Sequence, residues 1–217
     1  MSLKEKHIRY RFIDSLHEGA TVLDLGCGDG LIQKNIKRYR PDLKFISIDK
    51  QDFSKEAAFD VFFKINISDE TLPIATDSID AVFCAHVLEH IMFYDFLLSE
   101  IKRVLKSNGS FYIEVPSIRS MFIPSFGILK GPGTINFYDD PTHIRPFTRQ
   151  SLICIGKEIG AKELQTGFAR NWAYCLLSPA IILYSLIKRN RQMFGTVLWS
   201  ITGWSVYLWG SQIDKQK

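Results

Sequence analysis

Four cysteines in 217 residues, Cys27, Cys84, Cys154 and Cys175, stand apart with no C-x-x-C pair among them. No disulfide framework follows from that spacing, and small core thiols in a reducing, cytoplasmic compartment do. A long basic run is also missing, and the net charge is only +4, so nothing supports a nucleic-acid partner. The N-terminus is charged and lacks the apolar core of a cleavable signal. Nor does any stretch supply the roughly 20 uninterrupted apolar residues of a spanning helix. What remains is a chain with an ordinary apolar fraction of 46%, long enough for one well-buried domain over residues 1–217 and short for two.

The most informative stretch is Val22-Leu23-Asp24-Leu25-Gly26-Cys27-Gly28-Asp29-Gly30. Val22, Leu23 and Leu25 have the character of a strand covered on both faces, and Leu31, Ile32 and Ile36 take up helical spacing after the turn. Glycines at 26, 28 and 30 permit backbone conformations that a Cβ obstructs and let a ligand lie against the main chain. The turn is one residue shorter than the Gly-x-Gly-x-x-Gly of dinucleotide sites. Asp24, an acid inside the strand, suits a ligand carrying positive charge better than a pyrophosphate. A second short apolar strand, Phe45-Ile46-Ser47-Ile48-Asp49, ends in a carboxylate placed to accept ribose hydroxyls.

These paired motifs resemble the class I S-adenosylmethionine-dependent methyltransferases. The resemblance implies a Rossmann-like, doubly wound α/β fold with a seven-stranded, mostly parallel sheet whose last strand is antiparallel. It implies S-adenosyl-L-methionine as cofactor, with Asp24, Gly26, Cys27, Gly28 and Gly30 at its methionine end and Asp49, followed by Lys50, at its ribose. Asn66 and Ile67, after a third strand read over Asp60–Ile67, stand where the family holds the adenine. Ala85 and His86, ending a fourth strand over Ser78–Ala85, border the transferred methyl group. Leu88-Glu89-His90 repeats a signature widespread in the family.

Further along, an amphipathic helix is read from residue 4 to about 17, and another through Phe96, Leu97, Ile101, Val104 and Leu105, stopped by Lys106-Ser107-Asn108-Gly109. A fifth strand spans Ser110–Pro116, and Leu164–Ala169 and Ser205–Ser211 supply the sixth and seventh. Residues 117–147, with Phe122, Pro124, Phe126, Gly127, Gly131, Pro132, Gly133, Phe137 and Tyr138, form a substrate loop or lid. Thr148 caps the helix that follows it. Residues 172–201 are an apolar helical insertion, interrupted by Pro179 and divided by Lys188-Arg189-Asn190-Arg191. Aromatic residues beside a basic cluster fit an interfacial hairpin on an anionic membrane, making the protein peripheral there. A helical pair buried against the sheet or in a homodimer fits the same residues.

The activity implied is methyl transfer to a small-molecule, sugar or lipid-linked acceptor at oxygen. A hydroxyl acceptor needs a base, for which His143 is the first candidate and His86 the second. His86, Glu89 and His90 at i, i+3 and i+4 share one face if helical, a spacing that can hold a metal. The methyltransferase signature accounts for Glu89 and His90 without one, and no metal is expected. A nicotinamide-dependent oxidoreductase and a non-catalytic cofactor-binding scaffold are the alternatives.

Overall fold

The computed structural model describes residues 7–55, 59–124 and 134–215. Its strands are β1 (Thr21–Leu25), β2 (Lys44–Asp49), β3 (Val61–Lys64), β4 (Ile79–Ala85), β5 (Leu105–Pro116), β6 (Ala161–Phe168) and β7 (Ser205–Ile213). They lie in one sheet in the order β3-β2-β1-β4-β5-β7-β6. The first five strands pair in parallel, and β7 runs antiparallel to both β5 and β6. This is the expected fold class. The chain steps outward from β1 to β3, then returns to place β4 on the other side of β1. That reversal opens a crevice beyond the C-terminal ends of β1 and β4, where open α/β sheets bind ligands.

The helices are α1 (Ile8–Asp14), α2 (Leu31–Tyr39), α3 (Asp95–Val104), α4 (Arg149–Ile159), α5 (Trp172–Leu176), α6 (Ser178–Ile187) and α7 (Arg191–Thr202). Val22 and Leu23 are both fully buried because β1 is covered on each face. Leu23 and Leu25 join Leu97 and Ile101 of α3 and Leu152 of α4 in one cluster. Val22 joins Phe12 and Ile13 of α1 and Ile36 of α2 in the other.

Several boundaries differ from the sequence reading. Residues 4–6 of the leading helix lie outside the described residues, and α1 is shorter than read. Strand β3 stops at Lys64, before Asn66. Lys106–Gly109 does not terminate a helix: α3 ends at Val104, and the buried Leu105 already pairs with Ile79 of β4. The register then shifts before Ala81 meets Ser110, so these four residues form an irregularity within β5. Gly109 fits there because a Cβ would stand 2.8 Å from the Lys106 carbonyl oxygen. Pro179 marks a division of its apolar stretch as read: α5 ends at Leu176, and Pro179 occupies the first turn of α6, where the missing N–H is harmless.

In the expected substrate loop, Phe126, Gly127, Gly131, Pro132 and Gly133 lie outside the described residues. Its flanks pack, with Ile123 and Ile135 joining Phe194 and Trp204 in a third cluster. Thr148 caps α4 as read, its side chain accepting from the Ser151 amide.

Candidate active site

The glycine turn is fixed from both sides. Gly26 has φ +70°, and a Cβ on it would come within 2.3 Å of Val87 Cγ2, so both its backbone and its surroundings require glycine. The amides of Gly26 and Cys27 donate to the Ile48 carbonyl at 2.8 and 3.1 Å, tying the turn to the end of β2. One residue on, Asp49 accepts from the Gly28 amide at 2.9 Å and from the Gln51 amide at 2.9 Å, one bond to each carboxylate oxygen. Each oxygen keeps a second lone pair for a ligand hydroxyl. Gly30, also left-handed, opens α2.

Asp24 is buried on β1, at 4% exposure. Burial, and then the neighbouring Asp49 charge, push its carboxyl up to about 7. Among the described residues it makes no ion pair. Burial likewise raises the Cys27 thiol, with Asp24 and Asp49 adding to it, so that side chain is a neutral wall of the turn. Lys50 is exposed just past β2. Asn66 is exposed past β3, its side-chain oxygen accepting from the Ser68 amide at 3.3 Å, with Ile67 buried beside it. All of these residues lie at or just past the C-terminal ends of parallel strands, on one edge of the sheet. A cleft of about 380 Å³ lined by Ser110, Gln165 and Trp209 lies near the opposite ends of the strands, away from them.

At the end of β4, Ala85 leads into His86, which has φ +60°, a strained conformation for a residue with a Cβ. Its amide donates to the Glu114 carbonyl at 2.8 Å. Its ring lies between two carboxylates, Nδ1 3.3 Å from Glu89 Oε1 and Nε2 3.6 Å from Glu114 Oε1. Burial opposes the imidazolium, but Glu114 and Glu89 outweigh it and lift His86 to about 9.

Glu114 is itself buried, yet Arg9 at 2.9 Å overcomes that burial and keeps its carboxyl well below the usual range. Tyr112 donates to its other oxygen at 2.7 Å. His7, 3.9 Å away, is held down to about 4, by its own burial first and then by Arg9. Arg9 and Glu114 were absent from the sequence reading. The available signal was a lone carboxylate in the apolar run Phe111–Val115.

His143 and His90 meet on the other side of Glu89, their rings 4.9 Å apart. His143 Nδ1 donates to the Phe137 carbonyl at 2.7 Å, and its Nε2 lies 3.8 Å from Asp140 Oδ2. Thr142 Oγ1 donates to Asp140 at 2.6 Å and therefore accepts from His90 Nδ1 at 2.9 Å. Glu89 Oε2 is buried and has no hydrogen-bond partner among the described residues. Glu89, His90 and His143 each offer one ligand atom within 4.8 Å of the others, so this trio could hold a metal ion. The set read from i, i+3, i+4 spacing does not form, because a single 3-10 turn covers Leu88–His90 and His86 precedes it in a left-handed conformation.

Aromatic rings complete the wall. Trp199 of α7 stacks on Trp204, centroids 4.1 Å apart, and the two lie 5.7 and 5.9 Å from the His86 ring. Trp204 also lies 6.5 Å from His143.

Residues 23–113 match the family model described as a methyltransferase domain. A curated relative, the ubiquinone biosynthesis O-methyltransferase of Xanthomonas oryzae pv. oryzae, is 27% identical over 101 residues, 44% of this chain and 42% of that protein. The chain thus matches under half the length of such relatives. A solved S-adenosylmethionine-dependent methyltransferase from Archaeoglobus fulgidus superposes with a TM-score of 0.65 at 22% identity, over 97% of this chain and 94% of that one. Haemonchus contortus phosphoethanolamine N-methyltransferase 2, solved with S-adenosyl-L-methionine, gives 0.63 at 14% identity, over 94% and 51%. At these identities the structures are alike in fold.

Proposed function

We propose that the chain is a class I S-adenosylmethionine-dependent methyltransferase, as the methyltransferase-domain match over residues 23–113 supports, and that it methylates an oxygen of a small-molecule or lipid-linked acceptor held between the glycine turn and the Trp199–Trp204 wall. The carrying observation is the convergence, at one sheet edge, of a buried acid and a left-handed glycine turn on one side with His86 between two carboxylates and His143 anchored to the Phe137 carbonyl on the other.

The residues fit the cofactor. Asp24 is a buried carboxyl with no cation beside it among the described residues, and a positively charged ligand relieves the cost of ionising it. A Cβ on Gly28 would meet nothing within 4 Å, leaving open space above the turn. Asp24 and the turn would hold the methionine end and Asp49 the ribose, with Lys50, Asn66 and Ile67 bordering the remainder. When bound, the sulfonium supplies an activated methyl electrophile.

The chain's own residues then have three tasks. Trp199, Trp204 and Phe137 shield the acceptor from water and align it. His143, with Nδ1 committed to a carbonyl, accepts the acceptor hydroxyl proton at Nε2 as the new C–O bond forms. His86, held protonated by Glu89 and Glu114, is unsuited to take a proton and instead presents positive charge to the nascent oxyanion. A metal at Glu89, His90 and His143 forms no part of this reading. The domain organisation proposed is one domain over 1–217, with 117–147 as the acceptor loop and 172–201 as an appended apolar unit.

Calorimetric titration with S-adenosyl-L-methionine and, separately, NADH tests the cofactor. Binding of the sulfonium compound alone, weakened at least tenfold by Asp49→Ala, is expected; preference for NADH overturns the reading. With an acceptor in hand, His143→Ala should lower kcat by about 10²–10⁴ while leaving cofactor affinity unchanged.

A further inference from the structure

Helix α6 is apolar on nearly every side, and a helix of that kind is ordinarily buried. Here the reverse holds. Only Ser185 is buried, its hydroxyl donating back to the Ile181 carbonyl at 2.6 Å. Leu183, Tyr184, Leu186 and Ile187 are 61, 51, 41 and 69% exposed, and α5, packed against α6, adds Trp172 at 64% and Leu176 at 82%. Contiguous exposed apolar surface of this kind marks an interaction site.

The charge of the segment that carries the patch has one sign. From Leu164 to Ile213 the sequence contains no Asp or Glu, while Arg170, Lys188, Arg189 and Arg191 fall in that stretch. Arg191 is paired with Asp139, but Lys188 and Arg189 are exposed directly after α6. Arg170 lies 6.0 Å from the centre of the Trp172 ring.

We propose that α5 and α6 dock on a bilayer surface containing anionic phospholipid, with the apolar side chains among the upper acyl chains and Lys188 and Arg189 against the headgroups. No described helix is long and apolar enough to cross a membrane, which leaves the interfacial mode. Trp172 and Tyr184 have the amphipathic rings that favour the headgroup level. A two-fold contact with a second copy brings the same patch onto itself, and with it the same cations with no carboxylate from this segment to neutralise them. Helix α7 separates the patch from the reacting side chains, packing on α5 and α6 and carrying Trp199 to the His86 ring. A lipid-linked acceptor therefore has one helix to pass from the bilayer to the site; that consequence rests on the methyltransferase reading, and the docking does not.

The full chain is tested by flotation with vesicles of phosphatidylcholine alone and of equimolar phosphatidylcholine and phosphatidylglycerol. Partitioning at least tenfold stronger onto the anionic vesicles, and weakened by added salt, is expected. A double substitution, Lys188→Glu with Arg189→Glu, should lower it by tenfold or more, at about fivefold for each basic residue near the surface. Leu183→Ser with Ile187→Ser should abolish it, while Tm and cofactor affinity stay at wild-type values in both variants. The proposal falls if folded, cofactor-binding wild type does not float, if flotation ignores both pairs, or if sedimentation shows a stable dimer that the Leu183 and Ile187 substitutions dissociate without lipid. Flotation without any cofactor binding would remove the methyltransferase reading and leave the docking standing.

Discussion

Helices α3 and α6 are both ten residues long and turn opposite surfaces outward. Helix α3 buries Leu97, Leu98, Ile101 and Val104 under the sheet, and α6 buries a serine and exposes its leucines. Strand β1 breaks the pattern in the opposite sense, with a carboxyl among fully buried apolar neighbours. A polar group inside and apolar groups outside are both unfavourable in the free protein, and both become favourable once the right ligand arrives. The contrast teaches where to look for function: at the positions that depart from the α3 pattern.

The largest effect that would break the comparison is on stability. Ile101→Ala empties a fully buried site in the main cluster and should cost about 2–4 kcal/mol. Ile187→Ala, removing a side chain that is 69% exposed, should change stability by less than about 0.5 kcal/mol. Urea midpoints of the two variants measure this directly. Equal losses would mean that the outer face of α6 is packed in solution without lipid.

Asp24→Asn is next. The folded carboxyl titrates at about 7, above its ordinary range near 4. Between those values the native state binds more protons than the unfolded chain, so wild-type stability falls as pH rises from about 4 to 7. The asparagine variant lacks that slope and, without cofactor, should be more stable at pH 7.5 by on the order of 1–3 kcal/mol. Its affinity for S-adenosyl-L-methionine should drop at least tenfold, and wild-type affinity should rise from about pH 6 to pH 8 as Asp24 ionises. Thermal melts across pH, with and without cofactor, separate the two effects.

How legible these features were in the sequence follows from chain distance. The turn Gly26–Gly30 and Asp49 could be read because the motif is local, with strand, turn and helix consecutive. The sheet followed from strands separated by helical periods, and the Thr148 cap from one threonine before an apolar run. The charge relay from Arg9 to Glu114 to His86 could not be read, since Arg9 and Glu114 are 105 positions apart. The meeting of His90 with Thr142, 52 positions on, was equally invisible, and local spacing grouped His86 with Glu89 and His90 instead. Lys106–Gly109 carried every sign of a helix stop, but pairing of Leu105 with β4 overrode local propensity. Orientation was hidden in α6 for the simplest reason: where nearly every side is apolar, the pattern cannot say which side faces in.

The smallest expected effect concerns the third departure, a histidine in a left-handed conformation between two carboxylates. Burial disfavours charge on His86, yet Glu114 and Glu89 raise it to about 9, above its ordinary value near 6.5. Its stabilising contribution is therefore complete below about pH 6.5 and lost as pH rises through 9. His7 has the opposite sign: with its value lowered to about 4, any stability linked to it is present above 6.5 and lost as pH falls. Wild type should exceed His86→Gln in Tm by about 1–3 °C at pH 6, the gap closing between pH 6.5 and 9. A constant gap across that window would mean that His86 is neutral in the folded protein. It could then accept the acceptor's proton itself, and the assignment of that role to His143 would have to be decided by His143→Ala kinetics alone.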